Sequence, residues 1–385
     1  MTNPLLELQR YGQSVWLDYI HRSLLASGEL EHLMVTDGIR GVTSNPSILE
    51  KAIVGSDEYE ADVRRLARQG KNAQEIYETL AIRDIRWAAD ILRPLYDETD
   101  GGDGFVSIEV SPHLAYDTEG TIAEARRLFR TLDRPNVMIK VPATVEGLPA
   151  ITQLISEGIN INVTLVFALE RYQQVAEAYI AGLERLEAAE KRDGQAKRLL
   201  SRVASVASFF VSRIDTAVDA QLQARFDAGD QAVASLLGKA AIASAKVAYA
   251  RFKEIFDSPR FAHLRARGAR VQRPLWASTS TKNPAYSDVR YIEELIGPHT
   301  VNTIPPVTLA AFRDHGQVRP TLEEGVGEAR EVLARLGDFN IELSEITQYL
   351  EDQGVRLFAQ AFDKLIASLR TNAIAVAPEL EKTAS

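Results

Sequence analysis

The sequence predicts an α/β fold, a (β/α)8 TIM barrel with helical insertions and added C-terminal helices. Short apolar runs rich in β-branched residues recur along the chain, and longer segments with helical periodicity separate them. The first four runs are SVWLDYI, GVTSN, FVSIEVSP and VMIKVPAT, at 14–20, 41–45, 105–112 and 137–144. The last four are INVTLVF, VASVASFFVSR, RPLWAST and TVNTIPP, at 161–167, 203–213, 273–279 and 300–306. Eight strands that alternate with helices favour one closed parallel barrel over a doubly wound sheet.

The 385 residues exceed what a minimal barrel needs. We expect a single domain over 1–385, with the barrel at about 14–316 and a C-terminal helical extension at about 320–372. Helical patterns at roughly 168–200 and 214–268 are expected insertions. A last helix is expected from Ser344 to about Leu369, since apolar residues recur there at helical spacing. After the third run, Thr121 and Glu124 have the spacing of a capping box.

Composition excludes several classes of function. The net charge of −9 and the lack of any dense Lys/Arg run argue against a broad nucleic-acid surface. The absence of cysteine removes disulfides, thiolate metal sites and cysteine nucleophiles, and the histidines are scattered. There is no basic leader, and no apolar run approaches the roughly 18 residues of a membrane span. We therefore expect a cytoplasmic protein without metal or cofactor that binds neither nucleic acid nor membrane.

Alternation along the strands places an amine inside the barrel. In the fourth run, Ile139 and Val141 can face the surrounding helices, so that Lys140 points inward with Met138. The same rule turns Ile161, Val163 and Leu165 outward. It brings to one barrel mouth the polar residues Asp18, Glu109, Lys140, Asn162 and Thr164.

An inward lysine beside two acids indicates chemistry, although a salt-bridge cluster is the alternative. Burying these charges is costly unless they pair or react, and barrel enzymes keep their active sites at the carboxyl ends of the strands. A neutral Lys140 would attack a ketone or aldehyde, and the protonated imine would promote cleavage of the adjacent carbon–carbon bond. Asp18 suits the base for the neighbouring hydroxyl, and Glu109 with Thr164 suits a positioned water.

Two later strand ends indicate phosphate binding. Arg213 follows the sixth run, and Ser278 and Lys282 follow the seventh. Barrels often bind phosphate around their last strands, through a fixed cation with hydroxyls and backbone donors. The alternative for each cation taken alone is a solvated charge.

Six motifs in this order resemble the transaldolase family, especially its longer bacterial form. They are VTSNPS, VSIEVSPHLAYDT, IKVPAT, INVTLVF, FFVSRID and WASTSTKNPAYSD, over roughly residues 14–310. The resemblance implies transfer of a dihydroxyacetone unit from sedoheptulose 7-phosphate to glyceraldehyde 3-phosphate, which gives erythrose 4-phosphate and fructose 6-phosphate in the pentose phosphate pathway. It implies a Schiff base on Lys140, acid/base catalysis by Asp18, and a catalytic water on Glu109 and Thr164. It also implies sugar-phosphate binding by Asn45, Asn162, Ser208, Phe210, Arg213, Ser278 and Lys282.

Other functions stay open. A fructose 6-phosphate aldolase of the same superfamily would release the three-carbon unit. Those relatives carry tyrosine at the position of Phe210 and glutamine at that of Glu109, so this chain favours transfer. A silent sugar-phosphate sensor would be expected to lack Lys140. The run STSTKN is two residues longer than the SFRN of compact transaldolases and ends in Lys282, which offers a point charge instead of a guanidinium fork. A homo-oligomer is an option that the sequence does not decide.

Overall fold

A closed barrel of eight parallel strands forms the centre of the molecule. The computed structural model describes residues 3–193 and 200–383. The strands are β1 (Gln13–Leu17), β2 (Ile39–Thr43), β3 (Phe105–Glu109), β4 (Val137–Pro142), β5 (Ile161–Val166), β6 (Ser205–Phe210), β7 (Arg273–Ala277) and β8 (Thr300–Ile304). Each strand pairs with the next along the chain, and β8 closes the ring on β1. The predicted barrel is confirmed, and every observed strand overlaps its predicted run.

Helices connect and surround the strands. The first eight are α1 (Pro4–Leu8), α2 (Arg22–Ala26), α3 (Glu29–Thr36), α4 (Pro46–Val54), α5 (Glu60–Arg68), α6 (Ala73–Glu98), α7 (Thr118–Leu132) and α8 (Gly147–Ser156). The others are α9 (Leu169–Asp193), α10 (Ser212–Asp227), α11 (Ala240–Phe256), α12 (Pro259–Arg265), α13 (Arg290–Glu293), α14 (Pro306–His315), α15 (Val326–Asp338) and α16 (Leu343–Thr383). Short 3-10 turns lie at Gln9–Tyr11, Asp57–Tyr59, Pro112–Leu114 and Gln231–Ser235. Part of the insertion predicted at 168–200 lies outside the described residues.

Side-chain size inside the barrel follows the alternation of the strands. Trp16 on β1 is fully buried and points inward, and its ring lies 6.2 Å from that of Phe105 on β3. Gly41 on β2 faces the same indole, and a Cβ atom there would lie 2.6 Å from it. The small residue on β2 therefore makes room for the large one on β1.

The start of α7 differs from the predicted capping box. Asp117 caps the helix instead and accepts a hydrogen bond from the amide of Gly120 at 2.9 Å. Glu124 reaches out of the helix to accept from the amide of Ser111 at 3.0 Å, and Thr121 donates to the carbonyl of Leu114. The predicted capping box at Thr121 and Glu124 is therefore wrong, because the helix begins one turn earlier with Asp117 as its cap.

Helix α16 crosses the carboxyl end of the barrel. It contacts α4, α5, α6 and α10 and the end of β5. It runs on to Thr383, beyond the predicted end near Leu369, because the last segment is rich in helix-forming Ala, Glu and Lys although it lacks an amphipathic period. Arg171 of α9 pairs with Glu351 at 3.2 Å, and both side chains are largely buried. The helix is therefore fixed over the barrel mouth.

Strand β5 departs from regular alternation where α16 meets it. Leu165 has a backbone φ of +60°, and the ladder to β6 shifts register between Val163 and Val166. The Leu165 side chain packs against Gly354 of α16, where an added Cβ would lie 2.7 Å from it. The prediction that Leu165 continues the outward-facing set of β5 is therefore wrong, since the bulge turns it toward α16.

Candidate active site

A cavity of about 500 Å3 opens at the carboxyl ends of the strands. Its lining includes most of the predicted site residues, namely Asp18, Asn45, Lys140, Thr164, Ser208, Phe210, Arg213, Ser278 and Lys282. The remaining two lie directly beside this lining: Glu109 contacts Lys140, and Asn162 is hydrogen-bonded to Ser208. The fold thus brings all the predicted site residues together.

Lys140 lies deep in the cavity. Strand β4 aims its side chain inward, where only 5% of the residue is exposed. Its Nζ atom donates to the carbonyl oxygen of Ser44 at 3.0 Å and lies 3.5 Å from Oε2 of Glu109. The amine is therefore held between a neutral acceptor and a carboxylate, which leaves it oriented for attack on a carbonyl group.

Glu109 forms the second part of this pair. Burial raises the pKa of its carboxyl group above the ordinary range, and the charge of Lys140 only partly opposes that rise. Its buried Oε2 atom accepts no hydrogen bond from the described residues, and the buried hydroxyl of Thr164 likewise has no partner there. Buried polar atoms are normally hydrogen-bonded, so these two are well suited to hold a water or a substrate oxygen.

Asp18 extends the site on the other side of the lysine. It follows β1 directly, and its amide continues the ladder by donating to the carbonyl of Ile304 at 2.9 Å. Thr43 donates to its carboxylate at 2.8 Å and is itself paired with Thr303 at 2.7 Å. Burial raises the pKa of Asp18, while Lys140 lowers it. Two threonines thus orient a carboxyl group with a raised pKa toward the cavity.

A hydrogen-bond chain fixes the polar residues of β5 and β6. Asn162 donates to the hydroxyl of Ser107 at 3.0 Å and accepts from Ser208 at 2.7 Å. Asn45 is fixed differently, because its side-chain oxygen caps α4 by accepting from the amide of Ile48 at 3.0 Å. Its amide nitrogen is left as a donor for a ligand in the cavity.

The outer part of the cavity is positively charged. Arg213 lies in the first turn of α10, 5.4 Å from the ring of Phe210, and its buried Nη1 atom has no acceptor among the described residues. Burial lowers the pKa of Arg213. Lys282 donates to Ser280 at 2.6 Å, and its pKa is lowered by burial and by nearby cations. Neither Arg213 nor Lys282 has a carboxylate within ion-pairing distance among the described residues, so the two form a suitable site for an anion.

Backbone strain occurs at the same place. Ser278 follows β7 and has a φ of +56°, which is uncommon for a residue with a side chain. Its hydroxyl lies 3.0 Å from that of Ser212, and its carbonyl accepts from the amide of Ser212 at 3.2 Å. The turn after β7 is thereby joined to the N-terminus of α10, which carries Arg213.

The sequence interpretation missed several cavity residues. They are Tyr19, Thr43, Ser47, Ile48, Lys51, Ala277, Ser280, Thr303, Pro305, Pro306, Val307 and Phe358. Thr43 is the last residue of β2 and Thr303 the next-to-last of β8, and both face inward, so alternation could have identified them. Lys51 lies three and four residues after Ile48 and Ser47 on α4, a spacing that shares one helix face. Phe358 had no local signal, because its position depends on the path of α16.

Among the residues that the structure describes, no cluster of three or more His, Asp or Glu side chains could hold a metal ion. In residues 3–193 and 200–383, no helix combines the length and apolar character needed to span a membrane.

Comparison with known proteins gives consistent matches. The model of the transaldolase/fructose-6-phosphate aldolase family matches residues 15–369. A transaldolase of Trichodesmium erythraeum is 48% identical over 376 residues, which cover 96% of this chain and 97% of that protein. Transaldolase 2 of Nostoc punctiforme is 49% identical over 385 residues, covering 98% and 99%. A transaldolase of Thermobifida fusca is 48% identical over 367 residues, covering 95% and 97%.

Proposed function

Because the chain belongs to the transaldolase/fructose-6-phosphate aldolase family, we propose that its transaldolase activity proceeds through a Schiff base on Lys140. The activity is that of EC 2.2.1.2. It would move a dihydroxyacetone unit from sedoheptulose 7-phosphate to glyceraldehyde 3-phosphate, which gives erythrose 4-phosphate and fructose 6-phosphate. The observation that carries the proposal is the buried Lys140–Glu109 pair at the inner end of a cavity whose outer end is cationic.

The first step needs a neutral amine. Glu109 lies 3.5 Å from Nζ of Lys140, and burial raises the pKa of its carboxyl group. Transfer of the lysine proton to Glu109 would convert a buried ion pair into two neutral groups, which lowers its desolvation cost. Lys140 then attacks the ketose carbonyl, and loss of water forms the imine. Glu109 and the Thr164 hydroxyl would bind that water and exchange protons with it.

Cleavage then breaks the carbon–carbon bond next to the imine. Asp18 removes the proton from the neighbouring hydroxyl, an aldose phosphate leaves, and the electron pair of the bond passes to the iminium as an enamine. Asn45, Asn162 and Ser208 would bind the hydroxyls of the three-carbon unit. The enamine attacks the acceptor aldehyde while Asp18 returns the proton. Hydrolysis of the new imine releases the product ketose.

Phosphate binding is assigned to the outer end of the cavity. Arg213 and Lys282 supply positive charge, and Ser278 supplies a donor near the N-terminus of α10. Phe210 supplies an apolar wall without a hydroxyl, so no phenol is available there to protonate the enamine before the acceptor binds. This arrangement favours transfer over simple release of dihydroxyacetone.

A cytoplasmic location fits the sugar phosphates of central metabolism and is part of the proposal. The arrangement of subunits is a separate question, and a homo-oligomer stays a prediction.

The proposal is tested by incubating the purified protein with fructose 6-phosphate, with and without erythrose 4-phosphate. Release of glyceraldehyde 3-phosphate is followed through a coupled reduction. We expect release that depends on the acceptor, because the enamine is stable until an aldehyde arrives. In parallel, borohydride reduction with fructose 6-phosphate should attach a three-carbon unit to Lys140, as located by peptide mass.

The other possible results of this experiment would each contradict a different part of the proposal. Equal release without acceptor would indicate an aldolase that frees dihydroxyacetone. Absence of both release and borohydride labelling would contradict the Schiff-base proposal. Labelling at another lysine would move the nucleophile away from Lys140.

A further inference from the structure

The cavity holds one more cation than the proposed phosphate site uses. Lys51 of α4 lines it together with Arg213 and Lys282. Lys140 has a carboxylate partner in Glu109, whereas none of these three has one within ion-pairing distance among the residues that the structure describes. The outer cavity therefore contains three positive charges that no ion-pairing carboxylate of the described residues neutralises.

Three different elements supply these charges. Arg213 comes from α10, Lys282 from the segment after β7, and Lys51 from the last turn of α4. Lys51 is fixed relative to the sugar site because α4 begins at the capping residue Asn45 and presents Ser47 to the same cavity. Helix α4 therefore places residues along both the inner and the outer part of the cavity.

The three charges are close enough to interact. Besides burial, the charges of Arg213 and then Lys51 lower the pKa of Lys282, and only Asp18 opposes them. Like charges that face one cavity repel each other, and the repulsion is relieved when an anion binds between them. A phosphate monoester presents three acceptor oxygens and up to two negative charges, which matches such a group.

We propose that Lys51 is a third cationic ligand of the substrate phosphate and makes the enzyme specific for phosphorylated sugars. Lys282 offers a single ammonium group, which cannot bind two phosphate oxygens in a planar fork as arginine does. Lys51 supplies the additional donor from the helix that follows β2, whereas Arg213 and Lys282 follow β6 and β7. The inference rests on the proposed function, because it assigns a role within the same site.

The test compares Lys51→Met with the wild type on phosphorylated and neutral substrates. Removing one charge-assisted hydrogen bond should raise the KM for erythrose 4-phosphate and the inhibition constant of inorganic phosphate by about tenfold each. The KM for the neutral acceptor D-glyceraldehyde should stay unchanged, and kcat with fructose 6-phosphate at saturation should change little. Lys51→Arg keeps the charge and should restore most of the phosphate affinity.

Two controls make the result specific. Lys253→Met removes an exposed lysine outside the cavity and should leave all these constants unchanged. Borohydride labelling of Lys140 by dihydroxyacetone should be equal in wild type and Lys51→Met, which shows an intact fold and Schiff base. Equal KM values for erythrose 4-phosphate in the two proteins, with labelling intact, would overturn the role of Lys51 alone. Loss of labelling in the wild type would instead contradict the proposed function.

Discussion

Two clusters of charged and polar side chains lie at opposite ends of the same barrel, and they differ in how completely their polar atoms are hydrogen-bonded. The basal cluster consists of Ser14, Trp16, Arg40, Asp103 and Arg273, near the amino ends of the strands. The mouth cluster consists of Asp18, Glu109, Lys140, Thr164 and Arg213 at the carboxyl ends.

The basal cluster is well paired. Asp103 is 3% exposed and accepts from the indole of Trp16 at 2.8 Å, from Arg40 at 3.0 Å and from the hydroxyl of Ser14. Arg273 completes the group, since it donates to Ser14 at 2.9 Å and lies 3.4 Å from Asp103. The hydrogen bonds from these donors replace most of the hydration that the carboxylate of Asp103 loses when it is buried.

The mouth cluster is poorly paired. Oε2 of Glu109, Oγ1 of Thr164 and Nη1 of Arg213 are buried without a hydrogen-bond partner in the described residues. The contrast shows that these two clusters differ in how completely their buried polar atoms are hydrogen-bonded. The bonded charges of the basal cluster stabilise the fold, whereas the incompletely bonded groups of the mouth cluster are available to a substrate at a cost in stability.

The largest expected effect is at the centre of the mouth cluster. Lys140→Ala should lower transaldolase turnover by at least about a thousandfold, because the covalent intermediate can no longer form. Borohydride labelling should also disappear. Steady-state assays and peptide mass measure the two effects, and far-ultraviolet circular dichroism checks the fold. Activity within about tenfold of the wild type would remove Lys140 from the Schiff-base role.

The next-largest effect is expected on the free energy of unfolding, without a change in the kinetic constants. Asp103→Asn removes the carboxylate from two arginines in the basal cluster, and breaking such a buried pair costs about 3 to 5 kcal/mol of unfolding free energy. Urea denaturation measures it, while KM and kcat should match the wild type.

A surface ion pair provides the matched control for Asp103. Asp97→Asn removes a partner of the exposed Arg93, and it should cost less than about 1 kcal/mol. If Asp103→Asn were no more destabilising than Asp97→Asn, or if it changed KM, the division between the two clusters would fail.

A smaller effect is expected at Glu109. Glu109→Gln should lower kcat by about a hundredfold, because proton transfer at the imine-forming and imine-hydrolysing steps is impaired. Glu98→Gln alters an exposed acid at the end of α6 and should leave kcat unchanged. An effect of Glu109→Gln on KM alone would indicate a binding role.

The pH dependence of the unfolding free energy in Glu109→Gln also tests the difference between the two clusters. Burial raises the pKa of both Glu109 and Asp18, so the folded protein binds their protons more tightly than the unfolded chain. Their contribution to stability is therefore present at low pH and is lost as pH rises through the raised pKa values. Removing the Glu109 carboxyl should flatten this slope in urea titrations at several pH values. An unchanged slope would show that the carboxyl group does not titrate above its ordinary range.

Much of the fold and site could be predicted from local patterns. The inward direction of Lys140, Glu109 and Asn162 follows from the two-residue period of a strand, which does not depend on the rest of the chain. Arg213 was predicted from its place at the end of the sixth run, and it lies in the first turn of α10, three residues after β6 ends. The cap of α7 was predicted at Thr121, but Asp117 caps the helix and Thr121 instead donates to the carbonyl of Leu114 in the preceding loop.

The sequence by itself determined the order of strands and helices, the inward direction of Glu109 on β3 and Lys140 on β4, and the presence of a lysine with acids at one barrel mouth. These properties are periodic along a few residues, so they are visible without tertiary structure. Only the tertiary structure decided which charges are paired and which stay unpaired. Asp103 and Arg273 form an ion pair, and Lys51 lines the same cavity as Arg213. Helix α16 packs over Leu165 and places Phe358 in the cavity wall. Barrel closure and helix packing bring together residues far apart in sequence, and no local period records such contacts.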